Sequence, residues 1–77
     1  MLKIISTTDL SREGTDCYIY ETVTLVQELE VYFVVRVKKI VGWAAYESAT
    51  IDYYPTKDIN QAIKDYKAQG GVYEIMD

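Results

Sequence analysis

Between Leu29 and Lys38 the chain alternates without interruption. Leu29, Val31, Phe33, Val35 and Val37 occupy one phase, and Glu30, Tyr32, Val34, Arg36 and Lys38 the other. Successive side chains of a strand point to opposite faces, so this period of two demands a strand with one face in a core. The more apolar first phase is the expected core face. Residues 17–27 are also strand-like, with Ile19, Val23 and Leu25 in one phase and Tyr18, Tyr20, Thr22, Thr24 and Val26 in the other. Glu21 falls in the apolar phase. The junction Gln27-Glu28-Leu29-Glu30 has no Asn-Gly pair, so a turn is inferred from the length of the run, with a bulge as the alternative.

Shorter elements flank these two strands. Residues 2–6 are β-branched and short, as a terminal strand is, while 8–16 is dense in turn-forming side chains and reads as a loop. A third long strand is expected over 45–54, with Ala45, Ala49, Ile51 and Tyr53 opposite Tyr46, Ser48, Thr50, Asp52 and Tyr54, and Pro55 ending it. Ile59, Ala62, Ile63 and Tyr66 then stand at helical spacing. Either Thr56 or Asp58 can cap this helix, Asp58 with Gln61 matching the capping box, and Gly70-Gly71 ends it. A final strand is expected over 72–76. The order β-β-β-β-α-β predicts a single α+β domain spanning 1–77. Its sheet is mainly antiparallel and twisted, with one helix packed on the face bearing Val31, Phe33, Val35 and Ile51. One helix cannot cover both faces, so the other is expected to stay open.

Composition narrows the chemistry. The chain has 77 residues, no His, one Cys and 8 basic against 12 acidic side chains, a net charge of −4. Such a length buries only about 60% of the unfolded chain's surface, too little for a large enclosed cavity. Without histidine the usual triads and zinc sites are not expected, and no metal or other cofactor is predicted. Cys17 has no intrachain partner, which points to the reducing cytoplasm rather than to a disulfide-stapled secreted scaffold. The first nine residues turn polar too soon for a signal-peptide core, and no apolar run approaches the roughly 20 residues of a membrane helix. The polar stretch Ser11, Arg12, Gly14, Thr15 and Asp16 lacks P-loop spacing, so a non-enzymatic protein is expected.

Eight of the ten aromatic residues are tyrosines. Tyr20, Tyr32, Tyr46 and Tyr54, with Arg36 and Lys38, are the candidate binding residues of the open face. Tyr combines a large apolar body with a polar tip and serves well as an interface anchor. The plainer reading is that Tyr is simply a good strand former on a half-buried surface.

Two further surfaces suggest partners. Residues 1–35 carry the whole charge excess, and Asp9, Glu13, Asp16, Glu28 and Glu30 form a candidate surface for a basic protein, with solubility as the plainer reading. The tyrosines with Arg36, Lys38 and Lys39 form the alternative, a single-stranded nucleic-acid platform; the net negative charge weighs against it. Trp43 is expected to be buried.

The β-β-β-α order, with Thr56-Lys57-Asp58-Ile59-Asn60-Gln61-Ala62-Ile63-Lys64 opening the helix, is similar to that of several small accessory domains, antitoxin-type and mobile-element-type among them. Small size and acidity are also shared with phage-type inhibitors of bacterial defence enzymes. The resemblance covers about half the chain and carries no diagnostic motif. A core this small is only marginally sufficient, and an uncovered Tyr-rich sheet gains stability by burial against a partner. The function expected from the sequence is therefore a protein-interaction module, either a homodimer or an inhibitor or adaptor subunit, binding through its open sheet face.

Overall fold

A computed structural model describes residues 2–43 and 47–73. Its strands are β1 (Leu2–Asp9), β2 (Arg12–Gly14), β3 (Cys17–Glu28), β4 (Val31–Gly42) and β5 (Glu47–Thr56), followed by the helix α1 (Ile59–Ala68). All pair antiparallel in one sheet of order β1-β3-β4-β5, with β2 on β3 beyond the end of β1. The expected α+β architecture, a twisted antiparallel sheet with one helix packed on it, is the observed one.

Part of the expected loop over 8–16 is strand. β1 runs on to Asp9, and only Leu10 and Ser11 separate it from β2. That break is bridged on both sides of Glu21, whose carbonyl accepts from the Leu10 amide at 2.8 Å and whose amide donates to Ser11 Oγ at 3.2 Å. The sheet's edge therefore continues from β1 into β2. At the other end of the chain, Val72 and Tyr73 are not strand, and the rest of the expected final strand lies outside the described residues.

The turn between β3 and β4 consists of Leu29 and Glu30 alone, so Glu28 pairs with Val31, Leu25 with Val34 and Val23 with Arg36. Directly paired residues share a face. Ile19, Val23 and Leu25 of β3 therefore lie beside Tyr32, Val34 and Arg36 of β4, not beside Val31, Phe33 and Val35. The helix packs on the Val23–Leu25–Val34 face, and the core is Val23, Leu25, Val34, Ala62 and Tyr66, all fully buried. The expectation that α1 covers Val31, Phe33, Val35 and Ile51 is thus inverted. Both phases of β4 are apolar enough to enter a core, and the two-residue turn decides which one does.

Capping fixes the helix. The Asp58 side chain accepts from the Asn60 amide at 2.9 Å, making Asp58 the N-cap, while Thr56 Oγ1 accepts from the Asp58 amide. Gln61 does not close a capping box; its Nε2 donates to Asp65 one turn on. At the C-terminus the Gly71 amide donates to the Tyr66 carbonyl and the Gly70 amide to the Lys67 carbonyl, the two bonds of a Schellman motif, with Gly70 at φ +97°. Tyr66 reaches from the helix across to β1, where its hydroxyl lies 2.6 Å from Thr8 Oγ1 and 3.1 Å from Ser6 Oγ.

Candidate functional site

With α1 on one face, the other face of the sheet has no covering element among the described residues. The register builds it row by row. Leu2, Glu28 and Val31 form its first row, followed by Ile4, Val26, Phe33 and Pro55, then Thr7, Thr24, Val35 and Tyr53, then Asp9, Thr22, Val37 and Ile51. Tyr20, Lys39 and Ala49 form the next, and Glu13, Tyr18, Val41 and Glu47 the last. The alternation that makes these strands amphipathic in sequence is here apolar on both sides.

The middle of this face holds no charge except Asp9 at its edge. Ile4, Ile51 and Tyr53 are 63%, 53% and 62% exposed, values unusual for large apolar side chains on a folded domain. Phe33 and Val35 between them are half-buried, and Val26 is buried among its neighbours. A shallow concavity of about 410 Å³ lined by Leu2, Thr24, Val26, Glu28, Phe33, Val35 and Tyr53 occupies the Leu2 end. Four strands about 4.8 Å apart and eight residues of about 3.3 Å give this face a projected area of roughly 500 Å².

The tyrosine and arginine set expected on one face is divided between two. Tyr20 is on the open face, half exposed and 4.6 Å from Tyr18 between ring centroids. Tyr32 and Tyr54 are on the helix side, packed against the core. Arg36 is there too, as is Lys38, while Lys39 points to the open face and pairs with Glu47 at 3.0 Å. Tyr46 lies outside the described residues. The nucleic-acid set of Tyr32, Arg36, Lys38 and Lys39 is therefore not assembled on one surface.

Arg36 has a different task. Its Nη2 lies 2.6 Å from Glu21 Oε2, and Arg12 Nη1 lies 2.7 Å from Glu21 Oε1. Glu21 is only 4% exposed, and both of its oxygens are satisfied by guanidinium groups. The bond from Arg12 holds its carboxyl below the usual glutamate range; burial works the other way, and Arg36 adds to the lowering. A glutamate in the apolar phase of β3 is thus a structural charge with two partners.

The acidic candidates are spread along the sheet. Glu13 and Asp16 sit at one end of the sheet and Glu28 and Glu30 at the other, with Asp9 on the edge between them, so the set spans roughly 20–35 Å by strand length. Asp9 is engaged locally: hydrogen bonds from Ser11 lower its pKa, the Ser11 amide lying 2.9 Å from Oδ1. Trp43, expected in the core, is 88% exposed beside a second shallow concavity lined by Asp16, Cys17 and Gly42. It falls in the turn after β4, beyond the part of the sheet that α1 covers. Among the described residues no group of His, Cys, Asp and Glu is placed to hold a metal ion, and no helix is long and apolar enough to cross a membrane.

No family model, curated protein or solved structure matches this chain. The likeness to small accessory domains rests on element order alone. Sequence reasoning missed Ile4, Phe33, Val35, Val37, Ile51 and Tyr53 as surface residues because their apolar character reads as core. Two signals were available, the length of the β3–β4 turn and the glutamate at position 21 in an apolar phase.

Proposed function

We propose that this protein is a non-enzymatic interaction module that docks through the uncovered face of its sheet. The carrying observation is the uncharged strip formed by Ile4, Val26, Phe33, Val35, Val37, Ile51 and Tyr53 across four strands. Exposed apolar patches of several hundred Å² lie at the upper end of what monomers display, and they mark interaction sites.

The lone half-buried Cys17 suits a reducing, cytoplasmic setting. The test is a photo-crosslinking amino acid at position 35, in the middle of the open face, against one at position 64 on the exposed side of α1. Discrete adducts in cells from position 35 and none from position 64 are expected. Absence of adducts from position 35 removes the reading.

A further inference from the structure

Resting on that reading, we propose that the occupant of the open face is a second copy of this chain. The two sheets pack face to face with their strands reversed, about a two-fold axis running along the Thr24–Val35–Tyr53 row. Two observations choose this partner and orientation.

The first is area. A stable interface buries about 800 Å² on each side. The open face, roughly 500 Å² in projection with Leu2, Ile4, Tyr20, Ile51 and Tyr53 standing half or more exposed from it, offers contact area of that order. Sheets stacked in this way lie about 10 Å apart with side chains interdigitating, which suits a face of Val, Ile, Phe and Tyr.

The second is charge. Glu28 stands in the first row of the face and Lys39 in the fifth, on neighbouring strands, with uncharged side chains between them on β3 and β4. Reversal about the middle row lays the first row of one copy over the fifth of the other. Glu28 then lies beside the partner's Lys39, twice by symmetry, so that Lys39 stands between its own Glu47, 3.0 Å away, and the partner's Glu28, and the apolar rows cover one another. Glu13 and Glu47, in the sixth row, extend past the partner's end into solvent. Packing the same faces with strands running the same way would instead bring the two Glu28 carboxylates together. An isologous contact needs a self-complementary surface, and the reversed orientation supplies one. Asp9 sits on edge strand β1, where the roughly 30° rotation between stacked sheets carries the corners apart.

The test is sedimentation equilibrium on the full chain with four variants. Wild type is expected to be a dimer at tens of micromolar. Ile51→Lys, which changes a half-exposed side chain and leaves the core intact, should be monomeric with an unchanged circular dichroism spectrum. Glu28→Lys should weaken the dimer about tenfold, because it turns two attractions into repulsions, and Lys39→Glu should weaken it at least as much, since it also sets Glu47 of its own chain against the new carboxylate. The double variant Glu28→Lys/Lys39→Glu should recover most of that loss.

A wild-type chain monomeric at about 500 μM overturns the proposal. So does a dimer that Ile51→Lys leaves untouched, and a double variant no tighter than the single ones overturns the reversed arrangement. A monomer that still gives adducts from position 35 keeps the docking face and assigns it a different protein. A monomer without adducts removes both.

Discussion

Glu21 stands directly opposite Lys38 in the β3–β4 ladder, yet its carboxylate is held by Arg36, the diagonal neighbour, at 2.6 Å. Arg12 holds the other oxygen from β2. This triad ties three strands together at the edge of the core, and its members are not equivalent. Arg36 is the less exposed of the two cations, so its bond is the better shielded from water. Arg36→Met should cost about 2 kcal/mol, because a buried carboxylate is left with one partner. The Arg12 hydrogen bond does most to lower the Glu21 carboxyl, but its guanidinium is half exposed and screened by water, so Arg12→Met should cost about half as much. Urea denaturation of both variants checks the order, and equal losses would refute the unequal weighting.

The same carboxylate predicts an acid limb in the stability curve. Glu21 has its pKa lowered by folding, chiefly through the Arg12 hydrogen bond, so the folded state favours its charged form. The stability this supplies is fully present above the unfolded value near 4.5 and is lost as pH falls through the lower folded value. Wild-type Tm should fall below about pH 4.5. In Glu21→Gln the starting stability should be lower and the decline shallower. Parallel curves for the two proteins would remove Glu21 from the acid limb.

Leu29 offers the opposite sign of change. It occupies the first position of the β3–β4 turn at φ +57° and is 79% exposed. A left-handed conformation costs a branched side chain roughly 1–2 kcal/mol that glycine does not pay, and an exposed Leu contributes little burial in exchange. Leu29→Gly should therefore stabilise the domain by about 0.5–1 kcal/mol after the extra chain entropy of glycine is subtracted. Thermal unfolding below the interface-forming concentration measures it. A lower Tm would mean that Leu29 packs against something in solution.

β3, β4, β5 and the helix were readable because each carries its own local period, whereas β2 and the end of β1 were not, because residues 8–16 are dense in side chains that favour turns. Val31 to Val37 alternate, and Ile59 to Tyr66 follow 3.6. Which face enters the core was not readable, because β4 presents Val, Phe and Val on one side and Tyr, Val and Ile on the other. The choice lies in the register. A two-residue turn pairs odd-numbered positions of β3 with even-numbered positions of β4, so Val23 and Leu25 commit Arg36 and Val34 to their side. Glu21 in an apolar phase looked like an exception and is the best clue to that register, since only the helix-side face brings it two arginines. Tyr32 and Tyr54 went to the core side for the same reason, and the candidate site moved with them to Val35 and Tyr53.

The close of the fold rests on Gly71 and Tyr66. A Cβ built on Gly71 would lie 2.6 Å from Cδ2, Cε2 and Cζ of the Tyr66 ring, well inside contact distance. The ring has nowhere to go: it is fully buried, and its hydroxyl is held by Thr8 and Ser6 on β1. The backbone cannot yield easily either, because the Gly71 amide donates to the Tyr66 carbonyl at 2.8 Å and the Val72 amide to Thr8 Oγ1 at 2.9 Å. Gly71→Ala should thus destabilise the domain by about 2–3 kcal/mol through overpacking. Tyr66→Leu removes the ring and should cost at least as much alone, from lost contacts and two lost hydrogen bonds. Combined, the two changes should cost clearly less than their sum, since the clash is absent once the ring is gone. Additive losses in urea denaturation would mean that Gly71 does not pack on Tyr66 in solution.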